Sequence, residues 1–276
     1  MNCIIDTGGG LRGIYGAGVF DRLIDENAHF DVLIGVSAGS ANAVTFMGGQ
    51  RERTYRFYTD YAFRKEYMGF GNVLKSGSYL GLDYIYRTLS DSDGEDPLDA
   101  HRLLAYDGEV YITATDAATG EPHYFTKKDI QPDDYSVLCA SCCIPGVCRA
   151  YPINGKKWYD GGVSDPIPVK KALELGCEHI TVILTKPEND APDGRFERVS
   201  AALIKNGYPK TAEALLKRRE TYIRSLSLAQ ELREQGRCVI ISPSDTCGIK
   251  TLTKDTDGLK ALYKRGYDDA VALSVK

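Results

Sequence analysis

Long apolar stretches are missing from this 276-residue chain. No uninterrupted run approaches the ~20 residues needed to cross a bilayer as a helix. The first residues, Met1-Asn2-Cys3-Ile4-Ile5-Asp6, carry no basic segment ahead of an apolar one, so the expectation is no signal peptide. An excess of one charge is also missing. Thirty-four Lys and Arg stand against 38 Asp and Glu, a net charge of −4, and bulk electrostatics gives no support for a nucleic-acid partner. Histidine is scarce: His29, His101, His123 and His179 are the four, and none follows the last. A serine triad whose histidine comes late in the chain therefore lacks a candidate. Eight cysteines without an export signal read as reduced thiols. Cys139, Cys142, Cys143 and Cys148 cluster, but without a second C-x-x-C they read as buried thiols rather than a zinc site. Internal repeats and low-complexity segments are absent.

What is present is ordinary in bulk and specific in detail. With 43% hydrophobic and 26% charged residues, the chain suits one large α/β domain, or a core with a helical appendage. Strand-like runs at 3–6, 32–34, 108–115, 123–126 and 179–184 alternate with helical patterns at 12–26, 38–47, 135–144 and 169–175. That alternation argues for βα units around a mainly parallel sheet. A polar linker is expected over 188–195, then a long charged helix over 211–235, a strand over 238–242 and a last helix over 259–273.

Three turns follow apolar runs. Gly8-Gly9-Gly10-Leu11-Arg12-Gly13 comes after Cys3-Ile4-Ile5, and glycines at a strand-to-helix turn expose backbone N–H groups to an anion. Such a loop serves either a dinucleotide, which wants an acid about 20 residues on (Asp25 and Asp31 fall roughly in range), or an oxyanion. Gly35-Val36-Ser37-Ala38-Gly39 comes after Val32-Leu33-Ile34. Glycines two residues either side of a serine suit a strained elbow, where neighbouring Cβ atoms would clash. Asp160-Gly161-Gly162 comes after Lys157-Trp158-Tyr159 and supplies a carboxylate. Donor nest, nucleophile and base are the parts of an acyl-transfer enzyme.

In this order, with Ala140-Ser141-Cys142-Cys143-Ile144-Pro145-Gly146 upstream of the third turn and Val163-Ser164-Asp165-Pro166-Ile167-Pro168 after it, the motifs resemble the patatin-like phospholipase family over about residues 1–185. The resemblance implies a three-layer α/β/α fold with a mainly parallel central sheet. It also implies a serine–aspartate dyad acting on acyl esters of lipids, with no metal or organic cofactor. Ser37 becomes the nucleophile and Asp160 the proton acceptor. Gly8, Gly9, Gly10, Leu11, Arg12 and Gly13 form the oxyanion loop, with donors around Gly9, Gly10 and Leu11. Gly35 and Gly39 flank the elbow, while Gly161 and Gly162 complete the Asp-Gly motif. Asp165 stands where relatives often carry Asn, a departure that bears on loop geometry rather than on Ser37 and Asp160.

Residues 1–190 would be the catalytic domain. Residues 191–276 are expected as a helical segment with one strand, packed on the same core and loosely similar to the tail of some bacterial patatin-like proteins. The alternatives are a Rossmann-type oxidoreductase, an acyltransferase, and a non-catalytic lipid-binding relative. The expected partner is a lipid or acyl ester. The expected location is cytoplasmic, with peripheral contact at a membrane. Two segments keep two readings each. The Tyr- and Phe-rich stretch 55–86 reads as a lid or acyl-binding wall, or as a packed helical insert. The helix over 211–235 reads as a solvated cover for the core, or as a membrane contact.

Overall fold

The computed structural model describes residues 1–191 and 193–273. Residue 192, in the expected linker, and residues 274–276, at the end of the expected tail, lie outside the described residues. The strands are β1 (Asn2–Asp6), β2 (Val32–Val36), β3 (Glu109–Asp116), β4 (Pro122–Phe125), β5 (Tyr151–Ile153), β6 (Lys156–Asp160), β7 (His179–Ile183) and β8 (Cys238–Ile241). They form one sheet in the order β5-β6-β3-β2-β1-β7-β8, with β4 paired to β3. The run β3-β2-β1-β7-β8 is parallel, and β4, β5 and β6 add antiparallel pairings at one side.

The helices are α1 (Ile14–Asp25), α2 (Ala38–Met47), α3 (Arg53–Thr59), α4 (Phe70–Ser76), α5 (Ala100–Ala105), α6 (Ser136–Ser141), α7 (Val169–Glu174), α8 (Arg195–Ile204), α9 (Pro209–Glu234) and α10 (Thr256–Asp269). Successive strand side chains point to opposite faces. Ile4 and Leu33 accordingly join one apolar cluster with α1, α2, α6 and α10, while Cys3, Ile5, Val32 and Ile34 join another under α7 and α9. Helices on both faces of a mainly parallel sheet make the expected α/β/α sandwich.

Local differences have plain causes. The expected helix over 12–26 opens with a 3₁₀ turn, Gly10–Gly13, because Gly8, Gly9 and Gly10 all hold positive φ. The expected helix over 135–144 stops at Ser141, where the chain turns through Cys142 towards Pro145. α8 has no counterpart among the expected elements. Its apolar residues divide between a buried side, with Ala201 and Ile204, and an exposed one, with Phe196, Val199 and Leu203, so no simple stripe marks it. α9 buries Leu215, Tyr222, Leu226, Ala229 and Leu232 on the sheet, as a covering helix does.

The C-terminal elements are built into this core. β8 extends the sheet beside β7. α10 lies so close to α1 that a Cβ on Gly18 would sit 2.1 Å from Tyr263 O, and one on Gly266 2.0 Å from Tyr15 O. Three tyrosine–carboxylate bonds tie the pair: Tyr15 to Asp269 (2.8 Å), Tyr263 to Asp21 (2.7 Å) and Tyr267 to Asp25 (2.8 Å).

Candidate active site

Strand register gathers the three motifs. Asp6 pairs with Gly35, Val36 with Thr113, and Ala114 with Asp160, so the glycine loop, Ser37 and Asp160 leave the sheet at one edge. Ser37 sits between β2 and α2 at φ 56°, ψ −131°, a strained conformation for a residue with a Cβ. Its neighbours leave room only for glycine. A Cβ on Gly35 would lie 2.3 Å from Ser40 Cα, and one on Gly39 2.3 Å from Asp6 O. Ser141 on α6 accepts the Ser37 N–H (3.0 Å), donates to Thr113 O (2.7 Å), and meets Ser40 Oγ at 2.8 Å. The α2 N-terminus directs its partial positive charge at the serine.

Asp6 organises the loop beneath. Its carboxylate accepts Gly8 N–H (2.9 Å) and Asn42 Nδ2 (2.8 Å), and Asn42 also donates to Gly13 O (2.9 Å). Burial pushes the Asp6 pKa up to about 6 against these two donors. Leu11 N–H is donated to Thr251 O (2.9 Å), so the loop donors without an acceptor among the described residues are Gly9 and Gly10. Thr185 Oγ1 donates to Gly8 O, fixing the loop from β7's side. Gly13 serves packing, since a Cβ there would lie 2.5 Å from Tyr58 Oη.

The Asp160 side chain accepts a hydrogen bond from Gly162 N–H (2.8 Å), and the nearby Ser37 hydroxyl helps to stabilise its charge. Burial holds its pKa above the ordinary carboxylate value, against those donors and the Arg218 charge. Gly161 lets the turn pass β3, where a Cβ would meet Thr113 O at 2.3 Å. From α9, Arg218 donates Nε to Gly162 O (2.5 Å) and an amino group to Glu197 (2.6 Å), so the turn is held from across the fold.

Ser37 faces two cavities. One is apolar, lined by Leu11, Phe57, Tyr67, Met68, Leu80 and Leu82 among others, with about 60 Å³ of free volume. This makes the 55–86 stretch a cavity wall. The other is larger, about 580 Å³, with a mixed lining that holds the glycine loop, Asp160, the cations Arg12, Lys186 and Arg218, and the carboxylates Asp190, Asp193 and Glu197. Two cations there are poorly compensated. Burial and then Arg218 lower the Arg12 pKa, and Arg12 Nε is buried without a hydrogen-bond partner. Burial pushes Lys186 down to about 8; Asp190 opposes this, and Arg12 and Arg218 add to it.

The histidines are elsewhere. All four are exposed, and none lines either cavity. Cys142 lines the apolar cavity beside Ser37, but burial raises its pKa and keeps it a neutral thiol. The carboxylates a dinucleotide would need are engaged at other places. Asp31 accepts Asn2 N–H (2.7 Å) at the opposite end of β1 from the glycine loop, and Asp25 pairs with Arg51 (2.8 Å).

A model of the patatin-like phospholipases matches residues 7–173, more than half of the chain and all three motifs. The chain belongs to the patatin-like phospholipase family. A second model, a domain of unknown function (DUF6363), matches residues 208–273. The chain is 30% identical over 188 residues to the uncharacterized protein YjjU of Escherichia coli K12, a match that takes in 67% of this chain and 52% of YjjU. It thus spans about half the length of that relative. VipD from Legionella pneumophila aligns with 99% of this chain and 66% of its own, at 13% identity and a TM-score of 0.49.

Arg218 and Thr251 both fall in the DUF6363 stretch, so this region brings a side chain and a carbonyl to the patatin-like loops. Neither was marked by local sequence, because long-range packing places them. Asp6, Asn42 and Ser141 were also missed as site residues. Asp6 directly precedes the glycine loop and Asn42 stands in the small-residue helix after Ser37, signals that were there to read.

Proposed function

We propose that this patatin-like chain is a serine lipid acyl hydrolase of the phospholipase A or lysophospholipase type, working through a Ser37–Asp160 dyad. One observation carries the reading: a strained serine that shares a cavity with a buried aspartate, at the junction of that larger cavity, which also holds Arg12, Lys186 and Arg218, with an apolar one. The Ser37 hydroxyl attacks the ester carbonyl as Asp160 takes its proton. The Gly9 and Gly10 N–H groups hold the oxyanion, and Asp160 returns the proton to the leaving alcohol. Water then attacks the acyl-serine by the same relay. A raised carboxylate pKa makes Asp160 a stronger base than an exposed aspartate.

In this reading the acyl chain lies along the apolar cavity, and the anionic head group relieves Arg12 and Lys186 in the larger one. Free volume of about 60 Å³ is room for about two waters, so a long chain enters only as the wall parts. Residues 1–190 carry the chemistry, with 191–276 as a segment of the same core that braces it. Among the described residues no helix is long and apolar enough to cross a membrane. The proposed setting is the cytoplasm, with the substrate met at a lipid surface.

The test is fatty-acid release from lysophospholipid and phospholipid micelles. Wild type should release it, Ser37→Ala should not, and Arg12→Gln should raise KM for phospholipid more than for an uncharged ester. A folded wild type that releases fatty acid from none of these contradicts the reading.

A further inference from the structure

Segment 67–81 is built unlike the rest of the fold. Its base is a short antiparallel pairing: Met68 bridges Leu80, Gly69 N–H donates to Tyr79 O (3.0 Å), and Gly81 N–H to Tyr67 O (2.8 Å). The base side chains Tyr67, Met68 and Leu80 point into the apolar cavity shared with Ser37. The tip is α4, which buries none of its residues. Phe70 is 82% exposed and Leu74 90%, the two most exposed large apolar side chains described, with Val73 beside them. A water-facing helix has no reason to carry Phe-x-x-Val-Leu, and an exposed apolar patch on a soluble face marks an interaction site.

The charge around this tip is positive, although the whole chain is acidic. Lys75 is exposed within the segment and Lys65 just before it. Arg149 packs over Gly77, and Lys254 Nζ reaches Met68 O (3.4 Å). None of these four makes an ion pair among the described residues. Arg64 is paired with Glu95 (2.5 Å); the other carboxylates close in sequence are Glu66 before the segment, Asp83 after it, which accepts from Tyr151 (2.7 Å), and Asp255 beside Lys254.

We propose that α4 docks the protein on an anionic lipid bilayer, with Phe70, Val73 and Leu74 inserted at the interface and Lys65, Lys75, Arg149 and Lys254 facing the head groups. Two features favour a bilayer over a protein groove: the cations ring an apolar tip, and the tip's base opens on the acyl cavity. An acyl chain leaving the surface would meet apolar side chains all the way to Ser37. Apolar insertion plus basic attraction is how peripheral elements hold a surface. This rests on the lipid hydrolase reading of the same cavity.

The experiment is co-sedimentation with phosphatidylcholine vesicles containing or lacking phosphatidylglycerol, alongside hydrolysis of a water-soluble p-nitrophenyl ester. Phe70→Ser/Leu74→Ser should weaken vesicle binding at least tenfold. Lys65→Gln/Lys75→Gln should remove most of the preference for phosphatidylglycerol. Both should keep soluble-ester turnover within twofold of wild type. In Phe70→Trp the new emission should be quenched by brominated lipid, while Trp158, the single native tryptophan and buried, is not. Undiminished binding by the serine double variant overturns the proposal. So does loss on Leu203→Ser alone, which would move docking to α8. Self-association that Phe70→Ser/Leu74→Ser abolishes without touching vesicle binding would overturn it too, making the tip a contact between copies. If no ester is hydrolysed while binding still depends on Phe70 and Leu74, docking stands and the hydrolase reading fails.

Discussion

Protonation of Asp160 links activity and stability in opposite senses. As the proposed base it must be ionised, so kcat/KM should fall as pH drops through its pKa. Burial places that limb above the ~4 of an ordinary aspartate. For stability, a carboxyl whose folded pKa is raised favours the fold when protonated, and this contribution is lost as pH rises through the folded pKa. Asp160→Asn should therefore melt no lower than wild type at pH 7, and any advantage should vanish below about pH 4. Its kcat should fall by about 10²–10⁴ because an amide cannot take the serine proton. A pH series of melts and rates on both proteins checks this. Ser141 is the second test at this scale. Ser141→Ala leaves the Ser37 N–H without its acceptor and should cost about 1–3 kcal/mol in chemical denaturation, with a drop in kcat as the elbow loosens.

Among elements, the βα turns were the most legible part of the sequence. Each carried a local signature, an apolar run followed by glycines, and the backbone of each demands those glycines for close approach. The pairing of turns was legible only through the family resemblance, because strand register across the sheet brings the Asp160 and Ser37 turns to one end, and register is a long-range property. The glycine loop shows a finer version of the same limit. Nothing in Gly8–Gly13 announces that Leu11 N–H will be taken by Thr251, 240 residues away. One consequence concerns mutagenesis: Gly10→Ala would bring a Cβ to 2.3 Å from Thr251 O, so it should lower both kcat and Tm. At Gly9 the added Cβ would meet the Thr185 hydroxyl at 2.8 Å, a side chain rather than backbone, so the same change should lose proportionally more rate than stability.

Across the whole molecule, the C-terminal third touches the turns to which the proposed chemistry is assigned, through Arg218 and Thr251. Composition changes near residue 190, and the segment beyond it was expected on the same core, where β8 joins the sheet and α9 and α10 join its clusters. The charged face of α9 hid the part Arg218 plays, since an arginine on a polar helix looks solvated until its partners are known. Arg218→Gln removes a charge that lowers the Asp160 pKa and releases Gly162 O. The acid limb of kcat/KM should move to higher pH, which a pH–rate profile reads directly. Gly18→Ala forces α10 off α1 and should destabilise by about 1–3 kcal/mol, with a loss of rate transmitted through Thr251.

The central claim, that Ser37 is activated by Asp160 and by no histidine, is tested most directly by the rate and site of fluorophosphonate labelling, followed by intact mass and peptide mapping. The account predicts one adduct on Ser37, none in Ser37→Ala, labelling slowed at least a hundredfold in Asp160→Asn, and wild-type rates after alanine replaces His29, His101, His123 or His179 in turn. An adduct on Ser40 or Cys142, or wild-type labelling in Asp160→Asn with loss in one folded histidine variant, would contradict it.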